Sequence, residues 1–273
     1  MELLKSEYSN TKGISKLDKV YINCKDVSYF TLIDFLYTSY TEQAIVLQVL
    51  YDYKKDIVLK FGILDYINKE YEINVQLASL PNFIKYYCKI ECNDSIKNII
   101  NHKENISNYK ICHYGDNPVS ILVMNYYKLG SIYDYEWSKD NFYILKNLIK
   151  QVVFAVILAY EKIGFIHGDL HCGNVLIKAK RNDEIIYKDK VLIVDTFECV
   201  IMDFEKSKLN VINKYSDLFR GIIKLINSII DNNKMKLNII YDVSRLYKLK
   251  HIFNEKINFY DELDEIIDSI VYV

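Results

Sequence analysis

Net charge is nearly absent from this sequence. Its 35 Lys and Arg residues against 36 Asp and Glu leave a formal charge of -1 over 273 residues, with a pI near 6.5. Such a balance provides no electrostatic footprint for direct nucleic-acid binding or for an anionic membrane surface. Long hydrophobic runs are missing as well. The longest near the middle, Val152 to Tyr160, is flanked by Lys150, Gln151, Glu161 and Lys162. It is too short to cross a bilayer and predicts a buried helix, with no membrane span. Met1 to Asn10 alternates charged and apolar residues and lacks the continuous core of a signal peptide. A cytoplasmic location is the matching expectation.

Glycine and proline are scarce, with eight and two residues, and neither a repeat nor a low-complexity linker is present. The six cysteines, at 24, 88, 92, 112, 172 and 199, form no C-x-x-C pair. Cys88, Cys92, Cys112 and His113 lack the tight paired spacing of a structural zinc site, so the expectation is free thiols in a reducing compartment. Tyrosine is abundant, at 25 residues, and Ile, Asn and Lys recur throughout. That usage is common in AT-rich genomes, including those of many large DNA viruses and some parasites; a viral chain would act in the host cytoplasm or the virion.

What remains is an ordinary globular composition, 51% hydrophobic and 26% charged, long enough for one large domain or two small lobes. Thr31 to Tyr37, Ala44 to Asp52 and Asp56 to Ile63 read as strands. Tyr66 to Leu80 has helical spacing and stops at Pro81 and Asn82. Ile121 to Asn125 is a short strand followed by a turn at Leu129-Gly130-Ser131. Beyond it, Asn141 to Ile163 predicts a long helix capped by Gly164. Short strands follow at Asn174 to Lys178, Val191 to Val194 and Val200 to Phe204, then helices over Ser216 to Ile230 and from Asp242 to the end. A β-rich first part joined to a mainly helical second part, meeting near Asn125 to Gly130, is α+β organisation.

Four segments carry chemistry. In Phe165-Ile166-His167-Gly168-Asp169-Leu170-His171-Cys172-Gly173-Asn174-Val175-Leu176-Ile177, an Asp and an Asn five residues later lie between a long helix and a strand. In Val200-Ile201-Met202-Asp203-Phe204-Glu205 an apolar strand ends in an Asp, with Asp195 as a competitor after the preceding strand. Lys60 sits inside the apolar strand Ile57-Val58-Leu59-Lys60-Phe61-Gly62, where an ammonium needs a partner or a cavity. Alternation puts Val58, Lys60 and Gly62 on one face of that strand. Two acidic residues on the following helix, Glu72 and Glu70, are candidates to meet it. The last segment is Ile121-Leu122-Val123-Met124-Asn125-Tyr126-Tyr127-Lys128-Leu129-Gly130-Ser131.

Taken in order, these segments resemble the protein-kinase-like superfamily over roughly residues 31–230. The resemblance implies a bilobal fold, with an N-lobe over residues 1–125 and an abbreviated C-lobe over 126–273. It implies ATP and magnesium as cofactors and a Ser/Thr hydroxyl of a protein as acceptor. By the same resemblance Asp169 is the catalytic base, and Lys60 contacts the ATP phosphates with Glu72 as its partner. Asn174 and Asp203 hold the metal. Met124, Asn125, Tyr127 and Leu176 surround the adenine. The form H-G-D-L-H-x-G-N also resembles aminoglycoside and choline phosphotransferases, and, with the stretch inserted before Asp203, haspin-type kinases. Gly168 stands where many protein kinases have Arg, His171 where Lys is usual, and Glu205 where Gly is usual. No A-P-E follows Asp203, which implies no activation-loop phosphorylation switch. Ser39 to Gln43 contains none of the glycines that ordinarily cover the phosphates, and this keeps a pseudokinase scaffold among the alternatives.

Overall fold

The computed structural model describes residues 30–38, 44–92, 112–114, 117–180, 183–188, 190–194, 196–232, 239–240, 242, 244–247 and 259–272. Asp195 and the segment Ser39 to Gln43 lie outside the described residues. Strands β1 (Phe30–Thr38), β2 (Ala44–Tyr51) and β3 (Lys55–Ile63) form an antiparallel meander. The sheet continues to β6 (Asn117–Asn125) and β4 (Tyr86–Glu91), and the two-residue β5 (His113–Tyr114) pairs with β6. Its order is β1-β2-β3-β6-β4. Period-two alternation sorts its residues. Leu47, Val49, Ile57, Leu59, Phe61, Ile121 and Val123 form one buried face. Val58, Leu122 and Met124 turn the other way, into the core shared with the rest of the chain.

Helix α1 (Leu64–Leu77) begins immediately after β3, with no side-chain N-cap and with Asp65 in its first turn. It buries Ile67, Glu70, Ile73, Asn74 and Leu77. It stops three residues short of the predicted end. Asn82, just beyond it, takes a left-handed φ of 66° and is 4% exposed. From there Asn82 joins the sheet to the second half of the chain. Its Nδ2 donates to Gln151 Oε1 at 3.2 Å and to the Cys199 carbonyl at 3.0 Å, and its Oδ1 accepts from the Tyr187 hydroxyl.

The second half is organised around helix α2 (Phe142–Ile163). By length and composition this helix could cross a membrane. Here it is the centre of the core: no residue from Val152 to Tyr160 is more than 6% exposed. It ends at Gly164, whose φ of +61° lets its N–H reach the Tyr160 carbonyl at 2.8 Å. Strands β7 (Val175–Ala179) and β10 (Phe197–Ile201) pair antiparallel. Between them, in the stretch inserted before Asp203, β8 (Asp183–Tyr187) and β9 (Lys190–Val194) form a hairpin. Its Tyr187 ring packs edge-on to Phe154 at 5.5 Å. Helix α3 (Tyr215–Ile230) lays an apolar stripe of Leu218, Ile222, Leu225, Ile226 and Ile229 on the core.

The helical pattern from Asp242 onward is met at residues 244–247 and in α4 (Phe259–Asp268), but it does not run to the end: strand β11 (Ile239–Ile240) pairs with β12 (Val271–Tyr272). The β-branched and aromatic ending Ile270-Val271-Tyr272 favours a pleated conformation over a last helical turn. The free-thiol expectation also needs correction. Cys92 and Cys112 form a disulfide, because β4 and β5 both pair with β6 and bring their flanking cysteines together, and Cys88 is disulfide-bonded too. Cys172 and Cys199 are free and buried.

Candidate active site

Lys60 lies in β3 opposite Leu122 of β6 and Val46 of β2. Its side chain is 16% exposed, so its ammonium must be satisfied by the protein. The partner is Glu70, whose Oε2 accepts from Lys60 Nζ at 2.8 Å. Glu72, the partner implied by resemblance, is exposed on α1. The correction has a simple cause. Helical residues advance about 100° each, so Glu72 lies roughly 200° around from Glu70, away from the stripe of Ile67, Ile73 and Leu77. Glu70 takes a second hydrogen bond, from the Tyr86 hydroxyl on β4. Burial alone would discharge Lys60, but the Glu70 and Asp203 carboxylates outweigh it and hold its pKa above the ordinary value.

Asp203 follows β10 with a left-handed φ of 68°. A non-Gly residue stays in that region only where its surroundings fix it, and here Lys60 Nζ donates to its Oδ1 at 2.7 Å. Two residues 143 positions apart thus bridge the sheet to the second half of the chain. Burial opposes ionisation of Asp203, yet the Lys60 ammonium prevails and keeps its pKa low. Lys69 of α1 adds a second tie, donating to the Glu205 carbonyl at 2.6 Å.

The loop after α2 is held from several sides. His167 is 4% exposed. Its Nε2 meets the Met202 carbonyl at 3.0 Å, and its Nδ1 accepts from the Asp169 N–H at 3.3 Å. Those two bonds define a neutral imidazole, in keeping with a pKa pushed down to about 4 by burial. Gly168 explains a departure from the common kinase pattern. Its φ is +79°, and a Cβ there would stand 2.2 Å from the Lys206 carbonyl oxygen, so neither Arg nor any other side chain fits. Asn174 Nδ2 donates to the Asp169 carbonyl at 3.1 Å. The Met202 N–H donates to the Asn174 carbonyl at 3.0 Å, which sets Asn174 beside the approach to Asp203. His171 caps the short turn Cys172–Asn174 by accepting from the Gly173 N–H at 3.1 Å.

Asp169 itself is gripped by two lysines that sequence reasoning missed. Lys206 Nζ donates to Oδ2 at 2.6 Å, and Lys224 of α3 donates to Oδ1. Burial would raise the Asp169 pKa, but these hydrogen bonds bring it down to about 2. Both lysines look like solvated surface residues in the sequence, and nothing in their spacing marks them. Met124 is buried at the end of β6, paired across to Val58 and Tyr86. The Asn125 side chain accepts from the Tyr87 hydroxyl. Leu176 and Tyr127 pack against the cluster that contains Val58 and Met124. Among the described residues no group of three or more His, Cys, Asp or Glu side chains could by itself hold a metal.

An antiparallel sheet and helix that bury a Lys–Glu pair, linked to an Asp beyond an Asp/Asn loop, define a kinase-like domain of mixed α+β content. The family model described as the ABC1 atypical kinase-like domain matches residues 111–238, a little under half of the chain. A stretch of 77 residues is 35% identical to a probable serine/threonine-protein kinase of Dictyostelium discoideum, covering 26% of this chain and 6% of that protein. These likenesses support placement in the protein-kinase-like superfamily.

Proposed function

We propose that this protein is an ATP- and magnesium-dependent phosphotransferase that moves the γ-phosphoryl group of ATP to a Ser or Thr hydroxyl of a protein. The observation that carries the reading is the buried ammonium of Lys60, held between Glu70 and Asp203 at 2.8 and 2.7 Å. A scaffold gains nothing from a cation anchored beneath a strand and aimed across to an acidic residue. A nucleotide site between the sheet and the helical part, in a bilobal arrangement, gives it a purpose. Val58, Met124 and Leu176 would sandwich the adenine, beside Asn125 and Tyr127.

The donors suit magnesium, a hard cation that takes oxygen ligands and keeps several waters. Asp203 offers a carboxylate, and Asn174, with its Nδ2 committed to the Asp169 carbonyl, keeps Oδ1 for a cation. When bound, MgATP supplies the transferable phosphoryl group and a dication that neutralises its oxygens. Lys60 would hold the α- and β-phosphates, with Glu70, itself held by the Tyr86 hydroxyl, fixing the position of Lys60. Asp169 orients the acceptor hydroxyl. With a pKa near 2 it stays ionised, so it accepts a hydrogen bond throughout and takes the proton only as the hydroxyl oxygen bonds to phosphorus. Lys206 and Lys224 offset negative charge gathering at that point.

One observation favours a second reading, a nucleotide-binding protein without transfer. Both Asp169 oxygens are engaged by lysines, which weakens the carboxylate as a base. Incubation with labelled ATP, magnesium and generic protein substrates separates the two. Label should enter Ser or Thr of the substrate, and Asp169→Ala should abolish this. Nucleotide binding with no transfer at any substrate concentration selects the second reading. Transfer only to small hydroxyl compounds would replace the protein acceptor.

A further inference from the structure

A cavity of about 230 Å³ opens beside Asp169, between the loop that carries it and the start of α3. Ile166, Leu170 and Leu218 give it an apolar floor, and Lys208, Arg220 and Lys224 stand on its rim. Asp217 is its one lining carboxylate, and Arg220 meets it at 3.4 Å. The Lys208 side chain has no carboxylate partner among the described residues. His167, which also lines it, is neutral; Arg220 is paired with Asp217 and Lys224 with Asp169, so the three lining cations outnumber the two carboxylates that meet them. Along the helical wall, Gly221 leaves the space open: a Cβ there would meet nothing within 4 Å.

We propose that this cavity is the acceptor subsite, and that its cationic rim selects a protein segment bearing acidic side chains next to the hydroxyl to be phosphorylated. The proposal deepens the phosphotransfer reading and rests on it. Lys224 belongs both to the cavity and to Asp169, so a hydroxyl seated at Asp169 has its flanking residues at the cavity mouth. Whole-ligand pockets run roughly 300–1,000 Å³, so this smaller space suits one or two side chains of a longer segment. A chain of net charge -1 lacks the broad basic surface that holds polynucleotides or anionic bilayers, whereas a local cluster of three cations is matched by a few Asp or Glu residues. In the reaction the acceptor oxygen bonds to the γ-phosphorus of ATP, the bond from that phosphorus to the bridging oxygen breaks, ADP departs, and the hydroxyl proton passes by way of Asp169 to water.

The test uses the full chain and three labelled peptides, each with a central Ser flanked by Glu, by Ala or by Lys. Fluorescence anisotropy reads their binding, and labelled ATP with magnesium reads transfer. The Glu peptide should bind about tenfold tighter than the Ala peptide, from a few partly exposed ion pairs. Lys208→Glu combined with Arg220→Glu should erase or reverse that preference, and Gly221→Leu, which fills the cavity without changing charge, should weaken all three peptides. Affinity for an ATP analogue should be unchanged in these variants, which reports intact folding. Equal binding of the three peptides, preference for the Lys peptide, or tighter binding of anionic vesicles or polyuridylate than of the Glu peptide would overturn the proposal. Selective binding of the Glu peptide without transfer keeps the subsite and removes the phosphotransfer reading. Transfer without selectivity does the reverse.

Discussion

Replacing Glu70 should damage the protein far more than replacing Glu72, although only two residues separate them. Glu70 is 2% exposed and accepts from Lys60 and Tyr86. Glu70→Ala therefore leaves a largely buried ammonium with one carboxylate instead of two, and a buried hydroxyl with none. Breaking a fully buried pair costs about 3–5 kcal/mol, and an orphaned buried donor roughly 1–3 kcal/mol. Asp203 still holds Lys60 at 2.7 Å and the ammonium retains some solvent contact, so the expected total is about 2–4 kcal/mol. For a chain of this size that lowers Tm by roughly 3–7 °C. Glu72→Ala, at an exposed position, should stay within about 0.5 kcal/mol of the parent. Urea unfolding of both variants, and of each combined with Lys60→Ala, measures the coupling directly. The Lys60–Glu70 cycle should give more than about 1 kcal/mol and the Lys60–Glu72 cycle nearly zero. A Glu72 effect equal to or larger than that of Glu70 would refute the pairing.

Acid should weaken the fold through His167. The unfolded chain binds a proton there near pH 6.5 and the folded chain only near pH 4. Between these values the unfolded state holds more protons, so stability is full above pH 6.5 and about 3 kcal/mol of it is lost by pH 4. His167→Gln should flatten the pH dependence of unfolding free energy in that window, and an unchanged slope would contradict the assignment. Gly168→Ala must take φ +79° with a Cβ 2.2 Å from a backbone oxygen; we expect a loss of more than about 2 kcal/mol, seen by thermal denaturation, and no such loss would mean that the loop relaxes freely. Cys92 and Cys112 lie 20 residues apart, a loop whose closure is worth about 3 kcal/mol. Cys112→Ser should lower the urea midpoint accordingly, and a midpoint equal to that of the parent would show the bond to be absent or unimportant.

What could be read from the sequence divides along physical lines. Asp169, Asn174, Asp203 and Lys60 stand out because each is fixed by its neighbours along the chain: a helix before, a strand after, or an apolar strand around a charge. The strands of the sheet were legible for the same reason, since alternation at Ile57, Leu59 and Phe61 leaves one consistent face. Glu70 was harder. The helix starts at Leu64 without a cap, so no terminal signal fixes its rotation, and the apolar Val75 is 56% exposed. Lys206 and Lys224 come to Asp169 from segments 37 and 55 residues away, a convergence that local periodicity does not encode. The disulfide and the polar junction of Asn82, Gln151 and Tyr187 belong to the same category. Gly168 lay between the two. It was visible as a departure from the kinase pattern, but its reason, the Lys206 backbone pressed against it, is tertiary.

Everything turns on whether a nucleotide sits over Lys60. A crystal soaked with a non-hydrolysable ATP analogue and magnesium examines this most directly. Phosphate oxygens should lie within hydrogen-bond reach of Lys60 Nζ, the metal should be ligated by Asp203 and Asn174 Oδ1, and the γ-phosphate should point toward Asp169. A fully occupied analogue bound elsewhere, with the Lys60–Glu70–Asp203 cluster unchanged and the metal away from both ligands, would contradict it.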